Sequence, residues 1–435
     1  MAKLKRSFFT SYGLCLAAAS TLALAACGGS SSSSSPPPVD NSSSSSSSVS
    51  SSSSSEVSSS SEVSSSSSAG PIAVETDVQL YTQASFPIGV AVSAANEPFS
   101  IFNNNDGVER QDVITHHFNE LTAGNIMKMS YLHPQEDNYT FGDADVLVNF
   151  AKSNGMKVHG HALVWHPDYQ VPGFMKNYSD DWEAMLTEHV TTIVNYFDDT
   201  VVSWDVVNEA ISDSPNQGDG WRKSLFYNAL PPAAEGDIPE YIKVAFKAAR
   251  DAKPEGLDLY YNDYDNTANT ARLNKTLEIA AALKDEGTID GVGFQMHIYM
   301  DYPSLNNFEN AFQQVVDMGL KVKITELDIP VVNPYGSATP PPLPEYGETL
   351  MGQQKLRYCQ VTQVYLDTVP EAQRGGITVW GLGDNESWLM NQFRNATGAD
   401  YDDVWPLLFN ADLSEKPALL GIAEALAGEP CTSDF

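Results

Sequence analysis

Basic residues are scarce in this chain. Lys and Arg number 24 against 56 Asp and Glu, for a formal charge of −32 over 435 residues. So acidic a chain would repel phosphates, which argues against nucleic acid as a partner. Toward a neutral substrate the charge says little, and solubility accounts for it. Cysteine is scarcer still, with four in all. Cys15 and Cys27 fall in the N-terminal segment, leaving Cys359 and Cys431 for a folded domain. There they either pair in an oxidising compartment or stay as two buried thiols. The apolar run from Leu14 to Ala26 is too short for a stable bilayer-spanning helix. No internal repeat marks a solenoid. No Gly-rich phosphate loop follows an early strand, as an open doubly wound sheet would require.

What is present begins with a targeting pattern. Lys3, Lys5 and Arg6 precede the apolar run, which reads residues 1–26 as a signal peptide. The run ends in Leu24-Ala25-Ala26-Cys27-Gly28-Gly29, which resembles a bacterial lipobox. The resemblance implies cleavage before Cys27 and a lipid on its thiol, with 27–29 as the anchor site. A plain signal peptide that merely contains Cys27 is the alternative. Loss of the three leading cations would take the charge from −32 to −35. Residues 30–68 hold 28 serines in 39 positions, with Pro36-Pro37-Pro38 among them. No apolar period exists there to build a core, so 30–70 reads as a flexible tether. The lipobox resemblance implies a place at the cell envelope, as an outer-membrane lipoprotein on the cell-surface or periplasmic face, held to the membrane through Cys27.

From Phe86 onward short apolar runs alternate with amphipathic stretches. The expected strands are Phe86–Val92, Asn125–Met129, Lys157–Trp165, Val201–Glu209, Leu257–Asp263, Gly291–His297, Lys321–Asp328 and Gly376–Leu382. Between them lie helix-like segments such as Asp143–Asn154, Trp182–Phe197, Pro239–Ala252, Thr270–Glu286, Leu305–Met318 and Gly352–Thr368. This alternation implies a parallel sheet, and eight units imply an α/β fold, a single (β/α)8 barrel over 71–435. Chemistry in such a barrel sits at the C-terminal strand ends. Those ends are polar here, and two carry glutamates: Glu209 closes strand 4 and Glu326 closes strand 7. Strands 4 and 7 face each other across a barrel, so the two carboxylates can meet over its mouth. A pair of carboxylates flanking one bond is what glycoside hydrolysis needs: one kept protonated as acid, the other ionised.

At these residues the chain resembles glycoside hydrolase family 10, over roughly residues 85–425. Trp204-Asp205-Val206-Val207-Asn208-Glu209-Ala210 is similar to the family's acid/base strand, and Ile324-Thr325-Glu326-Leu327-Asp328 to its nucleophile strand. Gly160-His161-Ala162-Leu163-Val164-Trp165-His166 resembles the third-strand signature. Further matches are Asn125 and Lys128 on the second strand, Tyr261-Asn262-Asp263-Tyr264 on the fifth, and Gly293-Phe294-Gln295-Met296-His297 on the sixth. Val379-Trp380-Gly381 and Ser387-Trp388 lie near the eighth. The resemblance implies a retaining endo-β-1,4-xylanase, with Glu209 as acid/base and Glu326 as nucleophile. Its substrate contacts would come from Asn125, Lys128, His161, Trp165, Asn208, Gln295, His297, Trp380 and Trp388. It implies xylan and xylo-oligosaccharides as partners, a monomer, and no cofactor. Within that set, Asn208 suits the sugar 2-hydroxyl and His297 suits holding Glu326 ionised. Trp165, Trp380 and Trp388 suit stacking on sugar rings, and Trp204 is expected in the core. His159, His161 and His166 raise a zinc reading, but no third ligand at carboxylate spacing accompanies them.

Three departures stand out. Gly124 occupies the position before Asn125, where the family often has Glu, which puts tight binding of the next sugar on the non-reducing side in doubt. The loop Asp384-Asn385-Glu386-Ser387-Trp388 lacks the family's frequent Lys-Tyr. An insertion from Val331 to Glu348 holds five prolines and should form a stiff rim loop rather than a helix, with Tyr335 or Tyr346 near the sugar. No carbohydrate-binding module is visible. Together these suggest a preference for short or decorated xylo-oligosaccharides. The rival readings are another retaining glycosidase on the same fold, such as a cellulase, and a non-catalytic glycan-binding lipoprotein, which would have no use for both carboxylates.

Overall fold

The computed structural model describes residues 72–197, 199–335 and 339–435. The expected signal peptide, the expected lipid site Cys27 and the serine-rich segment expected to be a tether lie outside them. Among the described residues eight parallel strands close into a barrel in chain order. They are β1 (Ile88–Val92), β2 (Glu120–Ala123), β3 (Lys157–Trp165), β4 (Val201–Asn208), β5 (Asp258–Asp263), β6 (Gly291–Phe294), β7 (Lys321–Leu327) and β8 (Arg374–Val379). Closure comes from β1 against β8, where Val90 lies opposite Val379. The helices are α1 (Gly107–His117), α2 (Met129–Leu132), α3 (Gly142–Ser153), α4 (Trp182–Tyr196), α5 (Leu225–Ala229), α6 (Glu240–Ala252), α7 (Thr270–Asp285), α8 (Leu305–Asp317), α9 (Glu348–Thr368), α10 (Leu389–Thr397) and α11 (Pro417–Ala427).

Seven of the eight expected strands fall on observed ones within a few residues. The second does not. Asn125–Met129 is the turn that follows β2, which itself spans Glu120–Ala123. The last ladder bond runs from Gly124 N to Val92 O (2.9 Å), after which the chain leaves the sheet and enters α2. The strand was hidden because it carries two inward polar residues, Glu120 and Thr122, both buried. Glu120 pairs inside the barrel with the buried Lys323 ammonium of β7. A four-residue strand holding a charge does not read as apolar, whereas the buried Ile126 and Met127 of the turn do.

Packing at the β3–β4 seam is tight. Trp204 is 1% exposed, in the core as expected. A β-carbon at Gly160 would stand 2.2 Å from its ring, so only glycine lets β3 lie flat against β4 here. α9 begins at Glu348, inside the insertion, and α11 packs along it. Cys359 of α9 and Cys431 of the C-terminal tail form a disulfide with Cα atoms 5.6 Å apart.

The described part of the proline-rich insertion is non-helical up to Gly347, as proline content dictates. Its tyrosines are taken up in packing. Tyr346 is 6% exposed, stacks on Trp405 with centroids 4.7 Å apart and donates its hydroxyl to Gln354 Oε1 (2.6 Å). Tyr335 packs edge-on against Phe393 of α10. Each ring gains more from burial than from display in water. The insertion and the α10 segment therefore brace one another, with Tyr401 donating to Pro341 O (2.6 Å).

Gly160→Ala is expected to destabilise the fold by about 1–3 kcal/mol through overpacking. It would appear as a lower denaturant midpoint at unchanged slope. An unchanged midpoint would show that Trp204 yields without cost.

Candidate active site

The C-terminal strand ends converge on the two glutamates. Glu209 follows β4 with a left-handed backbone, φ +59°, a conformation disfavoured for a residue with a β-carbon. Two bonds hold it: its amide donates to Asn262 O (2.9 Å), and its carbonyl accepts from Arg222 Nε (3.1 Å). Arg222 is gripped in turn by both oxygens of Asp213, each at 3.0 Å. The Glu209 carboxylate accepts from Trp165 Nε1 on Oε2 and Gln295 Nε2 on Oε1, each at 2.9 Å. Burial and the nearby Asp263 raise its pKa above the ordinary value, outweighing Gln295, Trp165 and Arg222.

Glu326 lies in β7. Its Oε1 accepts from Asn262 Nδ2 (2.8 Å) and its Oε2 faces His297 Nε2 (3.2 Å). The other ring nitrogen of His297, Nδ1, faces Asp328 Oδ2 at 2.9 Å. An imidazole between two carboxylates keeps both protons. Although burial opposes charge, Asp328 and Glu326 lift His297 to about 10. Burial likewise works against ionised Glu326, but the His297 hydrogen bond and the charges of His161 and His297 prevail and lower its pKa. One carboxyl is thus biased toward its acid form and the other toward its anion.

A chain of amides joins the two. Asn262 Nδ2 reaches both Glu326 Oε1 and Asn208 Oδ1 (3.1 Å), and Gln295 Nε2 reaches both Asn208 Oδ1 (3.3 Å) and Glu209 Oε1.

The other expected residues gather on the same rim. Lys128 Nζ donates to Asn125 Oδ1 (3.1 Å) and sits 4.7 Å from the Trp165 ring centroid. Burial pulls its pKa down to about 8, against the attraction of Glu326, Glu209 and Glu97. His161 Nδ1 meets Asp205 Oδ2 at 2.8 Å, and its ring lies edge-on to Trp380. Trp388 donates Nε1 to Asp328 (3.0 Å) and stands 4.8 Å from the His297 ring. His159 also turns to Asp205 (3.1 Å), while His166 lies 3.9 Å from Glu209 and is held neutral, near 3, by burial and by Arg222. Among the described residues no cluster of three such side chains is placed to hold a metal.

Four residues at this site were not singled out from the sequence. Asp205 orients both buried histidines of β3. Asp263 is bound to Arg272 Nη1 (2.7 Å) and acts on Glu209 through space. Arg222 braces the Glu209 backbone. Glu97, in the loop after β1, accepts from Asn125 Nδ2 at 2.7 Å. Its partner Asn125 follows Gly124, where a β-carbon would touch little besides Val92 O at 3.4 Å. Asp205 and Asp263 both lay within motifs named from the sequence. Arg222 and Glu97 carry no spacing signal, because long loops bring them in.

Residues 78–425 match Glycosyl hydrolase family 10. The chain belongs to glycoside hydrolase family 10. Within that family it is 47% identical over 360 residues to endo-beta-1,4-xylanase Xyn10C of Cellvibrio japonicus, covering 80% of this chain and 57% of that protein. It is 42% identical over 370 residues to endo-1,4-beta-xylanase A of the same species, covering 82% of this chain and 58% of the other. The chain thus spans less than two thirds of these curated relatives. The structure of native xylanase 10C from C. japonicus superposes with a TM-score of 0.76 at 44% identity, covering 84% of this chain and 76% of that one. A mutant of that enzyme, solved in complex with xylopentaose, matches equally well and covers 72% of that chain.

Because His297 lowers Glu326, its removal should let the carboxyl hold a proton to higher pH. In His297→Ala the Glu326 titration midpoint, followed by carboxyl ¹³C NMR, is expected to rise. An unmoved midpoint would show that Glu326 owes its ionisation to other groups.

Proposed function

We propose that the chain is an endo-β-1,4-xylanase that acts with retention of configuration. The observation that carries this reading is the pair of carboxyls, Glu326 buried and Glu209 mostly so, biased in opposite directions and joined by one amide chain. Glu209, kept in its acid form, donates a proton to the glycosidic oxygen as the bond to the leaving sugar breaks. Glu326, ionised, attacks the anomeric carbon and forms a glycosyl-enzyme ester. Glu209, now a carboxylate, takes a proton from water, which attacks the same carbon and releases Glu326. Asn208, held by Asn262 and Gln295, suits the 2-hydroxyl of the reacting ring. His297 keeps Glu326 ready to leave as an anion in the second step. The choice of xylan over glucan is supported by the names of the relatives, and the xylopentaose bound to one of them fits a cleft that holds several sugars.

The test is direct. On xylohexaose the first product is expected to be the β-anomer by ¹H NMR, with Glu326→Ala forming none. Soluble glucan should be cleaved more slowly than xylan. An α-anomer formed first, or faster turnover of glucan, would overturn the assignment. A bias toward short or decorated oligosaccharides loses its support from Tyr335 and Tyr346, which are committed to packing, and among the cleft residues it rests on Gly124.

The leader supports a second reading, of a lipoprotein tethered to the cell envelope by its serine tract. Cys27→Ser is expected to move the enzyme from the membrane pellet to the soluble fraction with xylanase activity retained. Continued sedimentation with membranes would refute the anchor.

A further inference from the structure

We propose that Tyr261 is a positioning residue for the acid of the reaction: its phenol joins Asp263 to the Ala210 amide and so fixes the backbone that carries Glu209. This deepens the xylanase reading and rests on its assignment of Glu209. Successive side chains of a strand point to opposite faces. On β5, Asn262 turns to the reacting pair, where it binds Glu326 and Asn208. Tyr261 and Asp263 turn to the other face, where Arg272 of α7 binds Asp263. Both are fully buried. Neither meets substrate, so any part they take in the reaction runs through the chain they hold.

That chain is the segment after Glu209. Glu209 has a left-handed backbone, and its carboxylate is held by Trp165 and Gln295. The residues that follow are pinned group by group. The Ala210 amide donates to Tyr261 Oη (3.1 Å), and the Ala210 carbonyl accepts from Arg222 N (2.9 Å). The Ser212 amide donates to Gly220 O (2.9 Å), and the Ser212 carbonyl accepts from Arg272 Nη2 (3.0 Å). A disfavoured backbone persists only where its neighbours over-determine it. Two of those neighbours, Tyr261 and Arg272, meet on the Asp263 carboxylate.

A hydroxyl is what this link requires. A phenol both donates and accepts. Its proton goes to Asp263 Oδ2, so a lone pair is turned to the Ala210 N–H. The other carboxylate oxygen, Oδ1, accepts from Arg272 and from Tyr264 N (2.9 Å). Burial and Asp263 hold the phenol well above its ordinary pKa, so the proton stays. Phenylalanine would fill the same space but leave the Ala210 amide without an acceptor. A buried N–H without a partner is costly, and the Glu209–Ala210 segment would shift to recover a bond.

The test uses Tyr261→Phe and two substrates that differ in their need for an acid. Dinitrophenolate departs without a proton, whereas a sugar leaving group takes one from Glu209. In Tyr261→Phe, kcat/KM is expected to fall about tenfold more on xylotetraose than on 2,4-dinitrophenyl xylobioside. A purely structural role would lower both alike. Equal losses, or no loss on either, would overturn the proposal. Amide exchange examines the bridge apart from activity. In the wild type the Ala210 amide, which lies beyond the end of β4, is expected to exchange as slowly as the amides within that strand. Fast exchange there would overturn the bridge even if the variant failed to fold. In Tyr261→Phe that amide is expected to quicken about tenfold or more relative to the rest of β4, and an unchanged rate would refute the proposal. Wild-type failure on both substrates would instead sink the xylanase reading, and the exchange rates would then judge the Tyr261 bridge by themselves.

Discussion

His297 sits between two carboxylates, and the rest of the site depends on that contact. With Glu326 at 3.2 Å and Asp328 at 2.9 Å, the imidazole holds a proton on each nitrogen despite its burial. The resulting cation keeps Glu326 ionised in a place where burial alone would protonate it. Across the mouth no cation has the same hold on Glu209. Arg222 gives its Nε to the backbone and its terminal nitrogens to Asp213, so its charge only partly offsets Asp263 and burial. Two identical side chains thus acquire opposite protonation tendencies from their surroundings, which is the division of labour a retaining glycosidase needs.

The same buried charges also shape the rim. Asp384 and Lys416 pair at 2.8 Å below the β8 loop, and Arg110 joins that loop to the one after β1. Burying an ion pair is costly, and such pairs seldom add much stability over an apolar substitute. Their use here is positional. Each fixes the exit angle of a loop whose aromatic or carboxylate must point into the cleft, and removing one partner would leave a buried charge alone.

How legible this was in the sequence differs by element. β3, β4 and β7 were plain because each is seven to nine residues long and carries β-branched residues up to the polar groups of the site. β2 was not, because Glu120 and Thr122 point inward and the apolar signal slid onto the turn at Ile126 and Met127. Tyr346 shows the converse error. In sequence it is an aromatic in a rim insertion, free to meet a sugar. In the fold it finds Trp405, 59 positions later, and stacks on it. Nothing local says which of two aromatic fates a loop tyrosine takes.

The alternation of strands and helices, the barrel, and the two glutamates at the ends of β4 and β7 could be read from the residues alone. These follow from hydrophobic period and from side-chain chemistry, which are local properties. Tertiary structure alone decided which glutamate keeps its proton, and that Glu97 comes to lie beside Asn125. It also decided that Cys359 and Cys431 pair. Protonation depends on charges and burial summed over several strands, and loop position on packing against distant partners. Neither quantity exists until the chain has closed on itself.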